Sequence, residues 1–260
     1  VSSSLDETVR RRWLPYGYTE GPLRLYCLPH AGGSASVYRS WFGRIGPVAV
    51  CPLQPPGRET RLRETPHTDM ASLVAEAAAV ILADDGRPWA VYGHSLGATV
   101  GFELIREVRR RGGPEPVHLI VSGCPAPDTP DDDPRVTGLD DDEVVAMLRR
   151  LGGTPEWMLT DPSVLRMILP PFRADFGVKE SYVYRPEPPL RTPITAIAAT
   201  HDPRVDVASM TGWREQTTGR FTAHTVPGGH FAVLEQAATT HRLIRAALEA
   251  ALTGVAGGPR

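Results

Sequence analysis

The sequence is poor in cysteine, lysine, long apolar runs and net charge, and each shortage closes off a class of function. Three cysteines in 260 residues, an odd number without C-x-x-C spacing, are neither a disulfide framework nor a zinc site. Cys27, Cys51 and Cys124 each end or adjoin an apolar run and are expected to be small buried hydrophobes. No window approaches about 18 uninterrupted apolar residues, so no membrane-spanning helix is expected. Val1 to Tyr18 lacks the apolar core of a secretory signal and carries Asp6, Glu7 and Arg10 to Arg12, which points to a cytoplasmic protein. A formal net charge of −2 gives no general grip on nucleic acid or an anionic membrane. Of the 28 basic residues only Lys179 is lysine. There are no internal repeats. What is present, 41% apolar and 22% charged residues, suits one soluble domain over residues 1–260.

Short β-rich apolar runs alternate with helical patterns, the signature of an α/β fold with a mostly parallel central sheet and helices on both faces. Strands are expected at Leu23–Leu28, Val48–Leu53, Trp89–Tyr92, Leu119–Ser122, Ile194–Ala199 and Phe221–Val226, where near-continuous apolar character fits burial on both sides. Helices are expected at Asp69–Leu82, Leu96–Arg111, Val207–Gln216 and Ala232–Leu252, with a frayed Gly-rich tail at Thr253–Arg260. Residues 125–189 break the alternation. They open on an acidic, Pro-rich hinge, Asp128 to Pro134, and continue with two helices. The first is capped by Asp140 with Glu143 and ended by Gly152–Gly153; the second starts at Asp161–Pro162 and runs into Pro170–Pro171. An insertion of this length is more often a functional lid than a plain connection, and both readings stay open here.

Gly93–His94–Ser95–Leu96–Gly97 is a G-x-S-x-G pattern, which chance alone produces in roughly one chain in ten of this length. Its setting decides: a strand precedes it and a helix follows, the strand–turn–helix context of a nucleophile elbow. Ser95 is therefore the candidate nucleophile, raised at a helix N-terminus where developing negative charge is favoured. A free hydroxyl needs a base. Among eight histidines, His230 in Pro227–Gly228–Gly229–His230–Phe231 stands after the last strand, where this chain order places it. His224 lies inside a strand, His241 inside a helix, and His94 is too near Ser95 to point back at it. The acid belongs between them at a strand end. Asp202 occupies that loop, while Asp206 precedes a helix and suits an N-cap, so Asp202 is favoured with Asp206 as the alternative. The oxyanion donors are expected to be the N–H of Leu96 and, from the loop Pro29–Ser34, that of Ala31. His30 is expected to prop that loop. Nothing in the pattern calls for a metal or a resident cofactor.

With these pieces placed, the chain resembles the type II thioesterases of polyketide and non-ribosomal peptide biosynthesis, members of the α/β-hydrolase fold. The resemblance runs from about Leu23 to Glu235. It rests on Pro29–His30–Ala31–Gly32–Gly33–Ser34–Ala35, Gln54–Pro55–Pro56–Gly57–Arg58–Glu59–Thr60–Arg61, Gly93–His94–Ser95–Leu96–Gly97–Ala98, Leu169–Pro170–Pro171–Phe172–Arg173–Ala174–Asp175–Phe176 and Gly228–Gly229–His230–Phe231. It implies a lid over an acyl chamber and a substrate acyl group on the phosphopantetheine arm of an acyl or peptidyl carrier protein. It also implies an editing role, clearing stalled or aberrant units, and a monomer. Thr200–His201–Asp202 departs from a commoner Gly-containing approach to the acid. Arg58 and Arg61 are expected to brace the elbow or guide the carrier, and Arg106 to Arg111 to form a solvated face or a docking patch. A carboxylesterase or lipase, an acyltransferase, and a carrier-binding module with a vestigial triad are the alternatives.

Overall fold

Six apolar segments pair in parallel, in the order β2-β1-β3-β4-β5-β6. They are β1 (Leu23–Leu28), β2 (Val48–Pro52), β3 (Trp89–His94), β4 (His118–Ser122), β5 (Ile194–Ala199) and β6 (Phe221–Val226). The computed structural model describes residues 2–17, 19–84, 86–130 and 135–256. Every residue of β1 to β5 is buried, as doubly covered strands require, whereas β6 at the edge is half-exposed. Alternation along a strand feeds two cores: in β1, Tyr26 and Leu28 face one, and Leu23, Leu25 and Cys27 the other. The first core is closed by α2 (Met70–Leu82) and α3 (Leu96–Arg110), the second by Tyr38, Trp41 and the Ile244 and Leu248 side chains of α8 (Ala237–Ala256). The three cysteines are free and buried, and burial pushes the Cys51 thiol up to about 12.

The strand order has a mechanical consequence. The chain leaves β1 for β2 on one side and returns to β3 on the other, so the connections after β1 and β3 diverge. Such a reversal opens a crevice at the carboxyl ends of the two strands. The loop beginning at Pro29 and the turn at Ser95 stand at that crevice.

Between β4 and β5 lies the insertion. It holds α4 (Asp141–Leu151), α5 (Glu156–Thr160) and α6 (Pro162–Ser181). The Asp140–Glu143 capping box and the Gly152 end of α4 are as expected, and Asp161 caps α6. Of the expected hinge, residues 131–134 lie outside the described residues. Val144, Leu148, Leu159, Leu169, Phe172 and Phe176 belong to a separate apolar cluster of the insertion, and Ala31 packs against both it and the main core.

Several local expectations are corrected. α6 runs through Pro170 and Pro171, because Leu169, Phe172 and Phe176 on either side pack into one cluster and hold the axis despite two missing N–H donors. Residues Ser209–Gln216 form a 3₁₀ rather than an α-helix. The C-terminal helix is two, α7 (Ala232–Glu235) and α8, broken at Gln236 where the Thr240 hydroxyl takes the Val233 carbonyl. It extends to Ala256, and residues 257–260 of the expected frayed tail lie outside the described residues. The chain starts with a helix, α1 (Ser2–Trp13), whose Trp13 is fully buried beneath the Arg61 guanidinium, 5.0 Å from the ring centre. Arg106 is not solvated. It is 2% exposed and binds Glu103, Glu187 and the Arg185 carbonyl.

Candidate active site

The turn after β3 is held by steric necessity. A Cβ at Gly93 would stand 2.1 Å from the Gly97 carbonyl oxygen, and one at Gly97 2.3 Å from that of Leu28. Only glycine lets the strand end, the helix start and the neighbouring loop approach this closely. Ser95 between them adopts φ 54°, ψ −124°, one of two non-glycine residues with positive φ among those described. Its amide donates to Ser122 O at 2.8 Å, which ties the elbow to the end of β4. Ser95 stands at the N-cap of α3, yet its hydroxyl makes no capping bond and is left for other work.

His230 comes from the loop after β6 as expected. Its Nδ1 lies 2.7 Å from Asp202 Oδ2, and the two side chains are 4% and 0% exposed. A carboxylate only accepts, so Nδ1 carries the proton and Nε2 is left as an acceptor. Asp202 is fixed by the Arg204 amide on Oδ1, 2.9 Å, and the two loops are joined by His201 N donating to Gly228 O at 2.8 Å. Asp206 instead accepts from the Ser209 amide at 2.7 Å. Geometry thus separates the two acids: Asp202 meets His230, and Asp206 serves a local turn.

Two further histidines buttress this pair. The His94 ring lies 4.9 Å from that of His230 and 5.9 Å from that of His30, and Phe231 packs edge-on against all three. Burial, then the neighbouring His230, pushes His30 down to about 3 and His94 well below its ordinary value. Both are neutral wedges. His94 Nδ1 is bonded to Ser122 Oγ at 3.0 Å, so the residue next to Ser95 turns away from it, into the sheet end. Its support of His230 cannot be read from the sequence, since adjacency to Ser95 says nothing of what lies across the sheet.

The loop after β1 forms a turn at His30–Gly33, closed by Gly33 N on His30 O at 2.9 Å. Ala31 and Ser95 line the same two cavities, and Leu96 lines the second. One, about 180 Å³, runs under the insertion along Leu148, Leu151, Met158, Ile168 and Phe172, and His230 opens onto it. The other, about 650 Å³, runs past Thr99, Lys179, Tyr182, Tyr184 and Arg204. Ser95 sits where they meet. The expected loop, elbow, base and acid therefore converge on one place. No group of three His, Cys, Asp or Glu among the described residues is placed to hold a metal ion, and no helix of the described residues is long and apolar enough to cross a membrane.

The Gln54–Arg61 run braces the loop after β1, not the elbow itself. Gln54 Oε1 accepts from Ala35 N at 3.0 Å, Glu59 accepts from the Ser34 and Ser36 hydroxyls, and Arg58 donates to Gly33 O at 3.0 Å. Asp175 of α6 closes the set, paired with Arg58 and accepting from Gly32 N at 2.7 Å.

Comparison with known proteins places the chain in a family. A family model described as a thioesterase domain matches residues 23–248. The gramicidin S biosynthesis protein GrsT of Aneurinibacillus migulanus is 41% identical over 215 residues, 82% of this chain and 84% of GrsT. A protein of Brevibacillus parabrevis named linear gramicidin dehydrogenase LgrE is 37% identical over 252 residues, 95% of this chain and 96% of LgrE. The solved type II thioesterase BorB, from the borrelidin biosynthetic cluster, superposes with a TM-score of 0.80 at 40% identity, covering 87% of this chain and 92% of BorB. The chain belongs to the thioesterase family, with an α/β-hydrolase fold, alongside type II thioesterases of antibiotic biosynthesis.

Proposed function

We propose that this thioesterase hydrolyses acyl groups from the phosphopantetheine arm of acyl or peptidyl carrier proteins, with Ser95, His230 and Asp202 as its catalytic triad. One observation carries the reading: His230, paired with the buried Asp202, lines the same cavity as a serine whose hydroxyl is free of capping. Ser95 Oγ attacks the thioester carbonyl while His230 Nε2 takes its proton. The N–H groups of Leu96 and Ala31 hold the oxyanion, each worth about 3–4 kcal/mol in comparable sites. The carbon–sulfur bond then breaks, and His230 returns the proton to the departing thiolate. Its conjugate acid has a pKa of about 8.5, so it leaves with little help. Water, deprotonated by His230, attacks the Ser95 ester and releases the carboxylic acid.

The two cavities support a division of labour. The apolar space along Leu148, Ile168 and Phe172 suits the acyl chain, with the insertion acting as its lid. The larger space, with Thr99, Lys179, Tyr182 and Arg204 on its walls, suits the amide-rich arm. As proposed, the protein works in the cytoplasm as a monomer, takes no cofactor of its own and clears stalled or aberrant units. Relatives named for gramicidin S and borrelidin biosynthesis fit that role.

The test is turnover of a panel of acyl-loaded carrier proteins, with oxygen esters of equal chain length beside them, by wild type and Ser95→Ala. Release of free acid from carriers by wild type alone is expected. Preference for the oxygen esters, or transfer of the acyl group to an added amine or alcohol, would move the protein to an esterase or acyltransferase role.

A further inference from the structure

We propose that Asp175 and Arg58 are positioning residues for the reaction: from the insertion and from the loop after β2, they clamp the turn whose second residue, Ala31, presents an oxyanion donor. This rests on the proposed thioesterase mechanism. In the turn His30–Gly33, Gly32 has φ +75° while Ala31 is not among the positive-φ residues, which makes it a type II turn. Its central peptide, between Ala31 and Gly32, points the N–H of Gly32 at Asp175 Oδ2, 2.7 Å away and 143 positions on in the sequence. Arg58 meets both oxygens of that carboxylate, Nη1 to Oδ2 at 2.5 Å and Nη2 to Oδ1 at 2.8 Å. Nη1 also donates to Gly33 O at 3.0 Å, and Nε to Pro56 O at 3.2 Å. Arg58 and Asp175 are 5% and 6% exposed.

The choice of a carboxylate has a physical reading. Turns of types I and II interconvert by flipping the central peptide, and a flip would turn the Ala31 carbonyl towards the place now held by the Gly32 N–H. A carboxylate accepts but cannot donate, so it repels that carbonyl and selects the turn seen. A carboxamide of the same size could accept from the N–H or donate to the carbonyl, and would lose the selection. Phe172, also on α6, presses on the same residue: a Cβ at Gly32 would stand 2.9 Å from its ring. Seating of α6 on the site therefore fixes the turn. The Ala31 N–H, on the peptide next to the clamped one, is held with that turn.

The experiment compares wild type, Asp175→Asn, Arg58→Lys and Arg173→Ala on an acyl-pantetheine thioester. The last removes an ion pair to Asp141 within the insertion and leaves the turn alone. Kinetics, thermal unfolding and affinity for an acyl trifluoromethyl ketone, whose adduct places an oxyanion in the hole, are read together. Asp175→Asn is expected to lower kcat about 10- to 100-fold with KM within about threefold, and to weaken the ketone in step with kcat/KM. Arg58→Lys, which keeps the charge but not the fork, is expected to fall between, and Arg173→Ala to shift only the melting temperature. Wild-type kcat and ketone affinity in folded Asp175→Asn would overturn the proposal. Should that variant not fold, the same result in Arg58→Lys decides against it. A wild type that turns over no thioester and is not labelled at Ser95 by a fluorophosphonate removes the mechanism itself, a distinguishable failure.

Discussion

Asp202 Oδ2 and His230 Nδ1 stand 2.7 Å apart with both side chains out of water, while Asp206, four residues on, is engaged by the Ser209 amide. Asparagine at 202 would keep the volume but offer an N–H where His230 needs an acceptor, favouring the tautomer with the wrong nitrogen free. Asp202→Asn is therefore expected to lower kcat by about 10³- to 10⁴-fold with an unchanged circular dichroism spectrum. Asp206→Ala is expected to keep wild-type kcat and to lose about 1 kcal/mol of stability as its turn contact goes. The reverse pattern would reassign the acid.

Gly97 faces backbone rather than side chains, and that decides how a methyl group would be received. The atoms a Cβ would strike are Leu28 O at 2.3 Å and Pro29 O at 2.7 Å, at the end of a central strand that cannot yield. Gly97→Ala is expected to cost about 3 kcal/mol or more, a fall of roughly 6–12 °C in melting temperature for a chain of this size, or to abolish soluble expression. Gly138, which has no atom within 4 Å of an added Cβ, is the control, and Gly138→Ala is expected to melt with wild type.

Burial of neutral histidines makes the fold acid-sensitive. His30 and His118 are pushed down to about 3 and about 4, by burial first and then by like charge, and His94 is pushed well below its ordinary value by the same causes. The unfolded chain binds protons at these residues below about pH 6.5. The folded chain does not until about pH 4 or lower. Their contribution is thus whole above pH 6.5 and is lost as pH falls from there, at about 1.4 kcal/mol per pH unit for each group. Carboxylates enter later. Glu76, held at about 2 chiefly by the hydrogen bond from His67 against the opposing effect of burial, takes up a proton on unfolding only below about pH 4.5. Urea unfolding followed from pH 7 to 5 should accordingly show an uptake of about two to three protons near pH 5. An uptake below one would mean that these rings are charged in the folded state.

Residues whose roles are local or strand-wise were legible in the sequence. Doubly covered strands announce themselves as apolar runs, the Asp140–Glu143 cap needs only its own turn, and Gly93 and Gly97 bracket Ser95 within five positions. His230 and Asp202 were placed by chain order, because each follows a strand end on the same edge of the sheet. What stayed hidden depends on partners far along the chain. The burial of Arg106 is set by Arg185 and Glu187, and the work of Arg58 by Asp175 and Gly33. The passage of α6 through Pro170–Pro171 shows the same thing in reverse: a strong local rule yields where Leu169, Phe172 and Phe176 pack on both sides.

Ile168 gives access to the assignment of the two cavities, since it lines the smaller one and is only half-buried, so that replacing it disturbs the core little. Burying a methylene is worth about 0.8 kcal/mol, or roughly fourfold in kcat/KM per added carbon, until the chain meets the end of its space. A series of straight-chain acyl-pantetheine thioesters should therefore rise in steps and then break. In Ile168→Trp the break is expected two or more carbons earlier with acetyl hydrolysis unchanged, and in Ile168→Ala it should come later. Thr99→Leu narrows the larger cavity and is expected to leave the break in place while raising KM for pantetheine over N-acetylcysteamine thioesters. If Thr99→Leu moves the break and Ile168→Trp does not, the acyl chain occupies the larger space and the arm enters beneath the insertion, since among the described residues the two cavities share Ala31, Ser95, Phe176 and Arg204, and a substrate with its carbonyl at Ser95 extends into both.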